Sequence, residues 1–201
     1  MENLHQALKA EKNGADRIEL CAHLQLDGLT PSKELIIEAK QKLKLPVRVM
    51  IRPRGGDFVY SEEELETMKA SIEFCKTIGV EGVVFGILER DNRLNLKEIE
   101  KLANFAKPLK VVVHKAIDKT PNPLEALRKL AYIEGITTVL TSGGKKTAFE
   151  GKEILKDMLK ICRNQIEVMP AGKITNNNIQ ELHQYLGAKA YHGKCIAGSL
   201  Q

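Results

Sequence analysis

The chain has no tryptophan, and aromatic residues make up only 4% of it. That scarcity excludes the basic-aromatic interleaving on which a single-strand nucleic-acid binder stacks bases. Long apolar runs are missing too. None approaches the roughly 20 residues of a membrane-spanning helix, and the opening MENLHQALKAEKNG has no signal-peptide core. A cytoplasmic protein is expected, with neither nucleic acid nor membrane as partner. Only four cysteines occur, Cys21, Cys75, Cys162 and Cys195, and no two form a Cys-x-x-Cys pair. Their spacing argues against a zinc ribbon and against a disulfide framework, which leaves reduced thiols. No block of one charge sign stands out either: the formal net charge of +5 comes from lysines scattered among acids, as on a solvated surface.

What the chain does have is rhythm. With 43% hydrophobic residues and no low-complexity linker, residues 1–201 read as one domain with one well-buried core. Strand-like runs occur at Arg17–Cys21, Val47–Pro53, Gly82–Gly86, Lys110–Ala116, Thr137–Ser142, Ile166–Pro170 and Ala190–Cys195. Helical patterns lie between them, with start signals at Thr30 before Pro31, Ser61 with Glu64, Asn95 with Glu98, Asn122 before Pro123, and Thr147 with Glu150. Gly14, Gly79, Gly135 and Gly187 follow helical stretches, where a left-handed cap is wanted. Strict alternation of this kind means a parallel sheet covered by helices, and the pattern alone fits either a closed ring or an open doubly wound sheet.

Polar residues inside the strands decide between these. In VRVMIR (47–52), Val47, Val49 and Ile51 share one face and Arg48, Met50 and Arg52 the other. Likewise Arg17, Glu19 and Cys21 oppose Ile18 and Leu20, and His114 shares a face with Val112 and Ala116. Strands with helices on both sides read as nearly continuous apolar runs, so one recurrent polar face points to a barrel lumen. A TIM-type (β/α) barrel is expected, with Glu19 and Arg48 on consecutive strands as a lumen ion pair.

In such a barrel the working end is the C-terminal end of the strands. Arg48, Arg52 and Arg54, with Gly55 and Gly56 beside them, are candidate anion ligands, since guanidinium forks bind carboxylate and phosphate through charge-assisted bonds. Ser142, Gly143 and Gly144 could offer backbone N–H groups to the same anion, although a bare tight turn reads equally well. His114 and Asp118 are candidates for general acid–base work, with Glu19 as a further carboxylate. These groups describe a barrel enzyme acting on a small anionic or phosphorylated molecule.

The segments GADRIELC (14–21), GLTPS (28–32), VRVMIRPRGGDFVYSEEEL (47–65), GVVFGIL (82–88), HKAID (114–118), VLTSGGKKTAFEG (139–151) and IEVMPAGKIT (166–175) resemble the CutC family, the copper homeostasis proteins. The resemblance spans nearly the whole chain, and Arg-Pro-Arg-Gly-Gly-Asp-Phe-Val-Tyr is its most distinctive piece. It implies a TIM-type barrel, a cytoplasmic protein that associates into homo-oligomers, and a function tied to copper. Family members carry a strand before the first helix, whereas here Glu2–Lys12 already reads as that helix. The first strand and the last helix are therefore expected to be lacking. Copper would arrive as Cu(I), which prefers thiolate and thioether sulfur, so Cys21 and Met50 are the candidate metal ligands, with Met169, His114 and His192 on other strands.

Overall fold

The computed structural model describes residues 1–162 and 165–200. Six strands form one parallel sheet in chain order: β1 (Ile18–Leu20), β2 (Val47–Met50), β3 (Gly82–Phe85), β4 (Lys110–Val113), β5 (Ile136–Thr141) and β6 (Glu167–Pro170). Among the described residues seven α-helices cover its outside: α1 (Leu4–Lys12), α2 (Lys33–Lys42), α3 (Glu62–Ile78), α4 (Leu96–Ala106), α5 (Pro123–Leu130), α6 (Lys152–Ile161) and α7 (Ile179–Leu186). A strand order that never reverses is that of a barrel, since a doubly wound sheet would have a switch point. The fold is thus a TIM-type barrel lacking parts, with β1 and β6 as the two edges of its sheet. Beyond β1, Cys21 N donates to Met1 O at 3.0 Å; beyond β6, His192 N donates to Pro170 O at 2.9 Å.

Local chemistry explains most of the helix starts. Ser61 and Glu64 form a full capping box on α3, and the Asn95 and Asn122 side chains accept from the N–H groups of Glu98 and Glu125. Two expectations are corrected. Helix α2 is capped by Ser32, because Thr30 is engaged elsewhere: its hydroxyl accepts from Arg52 N at 2.8 Å. The expected seventh strand, Ala190–Cys195, makes only two isolated parallel bridges, Ala171 with His192 and Thr175 with Cys195. Its sequence, AYHGKC, has no β-branched residue, and Gly193 weakens any strand through it.

Alternation along the strands divides the interior in two. Ile18, Leu20, Val47, Val49, Ile51, Val83, Phe85, Val111, Val113 and Val139 face the helices and form the main core. Cys21, Met50, Val84, Val112, Leu140, Met169 and Ala171 form a second, smaller cluster that fills the lumen. The register makes this lumen layer level, pairing Met50 with Val84, Val84 with Val112, and Leu140 with Met169.

Candidate functional site

Below the apolar layer, at the N-terminal ends of the strands, lies a tier of charges. Arg48 is buried there and donates from Nε to Glu81 Oε2 at 3.0 Å and from Nη1 to Thr138 Oγ1 at 3.3 Å. Glu81 also meets Lys110 Nζ at 3.0 Å and Arg17 Nε at 3.4 Å, while Glu167 receives Thr138 Oγ1 at 3.2 Å. Burial pushes the Glu81 carboxyl up, but the bond from Lys110 and the charges of Arg48 and Arg17 outweigh it and hold the carboxyl below its ordinary range. The expected Glu19–Arg48 pair is not what forms. The two residues are register partners, yet the Arg48 side chain turns to Glu81, and the Glu19 carboxylate instead lies 4.0 Å from His192 Nδ1.

In the apolar layer the sulfur atoms gather. A methyl group built on Gly28 would lie 3.8 Å from Cys21 Sγ and 3.7 Å from Met50 Cε, so both side chains flank one point above that glycine. Met169 belongs to the same cluster. Burial pushes the Cys21 thiol above its ordinary pKa, so the protonated thiol is the resting form.

Above that layer is the rim, where the sequence placed its anion and acid–base groups. Arg52 is only 2% exposed. Its Nη1 donates to Leu26 O at 2.6 Å and Gly28 O at 3.2 Å, its Nη2 donates to Gly56 O at 2.9 Å, and its guanidinium lies 4.7 Å from the Phe58 ring. Arg54 instead braces the loop that follows: Nε donates to Glu64 at 2.5 Å, Nη2 donates to Val59 O at 2.7 Å, and the guanidinium covers Tyr60. On the other side of the rim, the Ser142 and Gly144 amides point at a carboxylate of the chain itself, while the Gly143 amide donates to Thr141 Oγ1. Asp118 accepts from Ser142 N at 2.9 Å and Gly144 N at 2.8 Å, from Thr141 Oγ1 at 2.5 Å, and from Lys115 Nζ at 2.6 Å. The Lys115 ammonium also touches Ser142 Oγ.

Asp118 therefore does not orient His114. The imidazole Nδ1 accepts from Ala116 N at 3.1 Å, which places the hydrogen on Nε2. Gly86 makes room for the ring, since a Cβ there would lie 2.7 Å from His114 Cε1. Burial, helped by the Arg52 charge, pulls the His114 pKa down to about 3, so the ring is neutral at ordinary pH.

The family model described as "CutC family" matches residues 1–197. The chain belongs to the CutC family. It is 41% identical over 199 residues to the human copper homeostasis protein cutC homolog, covering 99% of this chain and 72% of that protein. A CutC family protein of Parabacteroides distasonis is 39% identical, covering 92% of this chain and 76% of that one. The crystal structure of CutC from Streptococcus agalactiae superposes with a TM-score of 0.92 at 34% identity, covering 98% of this chain and 96% of the other. An N-acetylneuraminate lyase from Mycoplasma synoviae, with a TM-score of 0.66 at 12% identity, shares the fold alone; it covers 98% of this chain and 62% of that one. Within the CutC frame, sequence reasoning missed Glu81, whose one signal was an acid directly ahead of the strand GVVF. It also missed the contacts that Phe58 makes with both Arg52 and His114. Lys173 takes a left-handed φ of 57°, a conformation that favours glycine.

Proposed function

We propose that this CutC-family chain binds Cu(I) as cargo through Cys21 Sγ and Met50 Sδ, with Met169 a further thioether in the same cluster. One observation carries the reading: a thiol and two thioethers lie in the same water-poor lumen layer, and Cys21 and Met50 flank one point. Cu(I) is satisfied by few soft ligands, and this donor set suits it. Among the described residues no three His, Cys, Asp or Glu side chains gather into a cation cage, which disfavours harder metals that need one. The names of the relatives, copper homeostasis proteins, support the same reading.

The alternative, an enzyme acting on a small phosphorylated molecule, is not favoured. Its anion loop holds Asp118, and Arg54 holds its own loop. Competition for Cu(I) against a chelator tests the proposal. Cys21→Ser should weaken binding by orders of magnitude, because hydroxyl is a poor ligand for a soft ion. Cys75→Ala should leave affinity unchanged, since Cys75 lies on α3 in the helix-facing core. Equal effects from the two variants would remove Cu(I) from the account.

A further inference from the structure

The lumen holds two buried arginines, and only one is neutralised. Arg48 pairs with Glu81, whereas Arg52, more deeply buried, meets no carboxylate among the described residues and donates to three carbonyl oxygens. Carbonyl dipoles orient a guanidinium but do not cancel its charge, and an uncompensated buried charge is costly. Its bonding is also incomplete. Arg52 Nε is buried without a partner, and Nη2 has one acceptor for two hydrogens.

Two more unpartnered donors lie in the same neighbourhood. His114 Nε2–H is buried and unbonded, and the His114 ring sits 4.8 Å from the Phe58 ring, on which the Arg52 guanidinium also packs. Tyr60 Oη, two residues beyond Phe58, is likewise buried with no partner at good hydrogen-bond geometry, and the Arg52 side chain lies against it. Native chains leave few buried polar atoms unsatisfied, so three around one aromatic ring call for a shared partner. The chemistry specifies that partner. Arg52 Nε–H and His114 Nε2–H are donors only, Tyr60 can donate, and Arg52 is bonded to no carboxylate among the described residues. A lone water could accept from both nitrogens but would leave the guanidinium charge unanswered, whereas a carboxylate offers two acceptor oxygens together with the missing negative charge. Tyr60 also lines a neighbouring cleft of about 760 Å³, whose wall carries Arg90, Arg93 and Lys129 as well as Glu89, Asp91 and Glu125.

We propose that Arg52, His114 and Tyr60 form a binding site for one small carboxylate, beside the cleft that Tyr60 walls. The site is separate from the sulfur layer, over which Arg52 is clamped through Gly28 O.

Formate and acetate are the probes, titrated into full-length protein labelled with nitrogen-15 at histidine. The His114 Nε2–H resonance should move saturably, while those of the exposed histidines His5 and His23 stay still. Tyr60→Phe, which deletes one donor and keeps the ring, should weaken binding about ten- to hundredfold. His114→Asn should do the same, because its amide can still cap Ala116 N but does not reach as far as Nε2–H. Should that variant fail to fold, Tyr60→Phe decides alone. An unmoved His114 resonance, equal affinity in Tyr60→Phe, or a crystal grown with formate that shows only a water bridging the three groups would overturn the proposal.

Discussion

Replacing Asp118 by asparagine should do more damage than its conservative shape implies. The carboxylate is 7% exposed and accepts from Ser142 N, Gly144 N, Thr141 Oγ1, Ser142 Oγ and Lys115 Nζ. Asparagine keeps one acceptor oxygen and turns an NH₂ group toward groups that are themselves donors. It also leaves the Lys115 ammonium without its counter-charge. A hydrogen bond to a charged group contributes about 1.5–3 kcal/mol, but bonds sharing one acceptor are not additive. Breaking a fully buried pair costs about 3–5 kcal/mol; with Lys115 41% exposed, water offsets part of this, and about 2–4 kcal/mol is the loss expected. With a urea slope of about 2–3 kcal/mol/M, the unfolding midpoint should fall by roughly 1–2 M. Acid supplies an independent check. Burial raises the Asp118 carboxyl, but Lys115 and the bonded hydroxyls and amides outweigh it, so the folded pKa lies below the ordinary 3.8. A depressed carboxylate contributes stability above its unfolded pKa and loses it as pH falls through the folded value. Wild type should therefore lose its advantage over Asp118→Asn as pH falls below 3.8 and through the folded value. A loss under 1 kcal/mol at neutral pH, or curves that stay parallel into acid, would refute the reasoning.

Other perturbations separate the remaining tiers. Glu81→Gln should destabilise by about 3 kcal/mol, seen as a lower urea midpoint, because it strands Arg48 without an anion. Gly86→Ala should cost about 1–3 kcal/mol through overpacking, and its histidine spectrum should show a displaced His114 ring, since the new Cβ would lie 2.7 Å from Cε1 and Nδ1. His114, with a folded pKa of about 3 against an ordinary 6.5, takes up its proton mainly in the unfolded state. Its contribution is complete above about pH 6.5 and declines toward pH 3 by roughly 4–5 kcal/mol in all; His114→Asn should lack that part of the acid slope in denaturation curves.

The sequence made the barrel legible because its signals were local. Period-two runs gave the six strands, and caps such as Ser61 with Glu64 gave the helix starts. The polar faces of Arg17–Cys21 and VRVMIR gave the lumen. Pairings set by side-chain reach were not legible. Register alone put Glu19 beside Arg48, but a long guanidinium stem selects among several heights, and Glu81 met it with two further cations already gathered. Similarly, Ser142–Gly144 has the composition of an anion loop, and it does bind an anion. The anion is Asp118, brought from 24 residues away by the turn after β4, a distance at which spacing carries no information.

Strand β2 shows why three alternating residues of one face end with three different fates. Each inward side chain enters a separate tier, and what its neighbours supply at that height decides its chemistry. Arg48 enters at the bottom, where Glu81 and Glu167 face Arg17 and Lys110, so its charge is one term in a network that nearly balances. Met50 enters between Cys21 and Val84, in an apolar layer set apart from ordinary core by its sulfur and by the Met1 ammonium, which donates to Cys21 Sγ at 3.6 Å. Arg52 lies two residues beyond the strand's last residue, Met50, with its N–H already turned to Thr30 Oγ1, under the turn at Pro53. There the fork of Nη1 and Nη2 gathers the carbonyls of Leu26, Gly28 and Gly56, fixing the loops after β1 and β2 to each other. Lysine has no planar fork with which to reach three carbonyls at once, so the loop geometry itself requires arginine. That requirement explains the guanidinium but not its unanswered charge. A residue needed only to staple two loops could have been balanced by an acid, as Arg48 is, and the lack of one on the Arg52 side is what sets this rim apart from the tier beneath it.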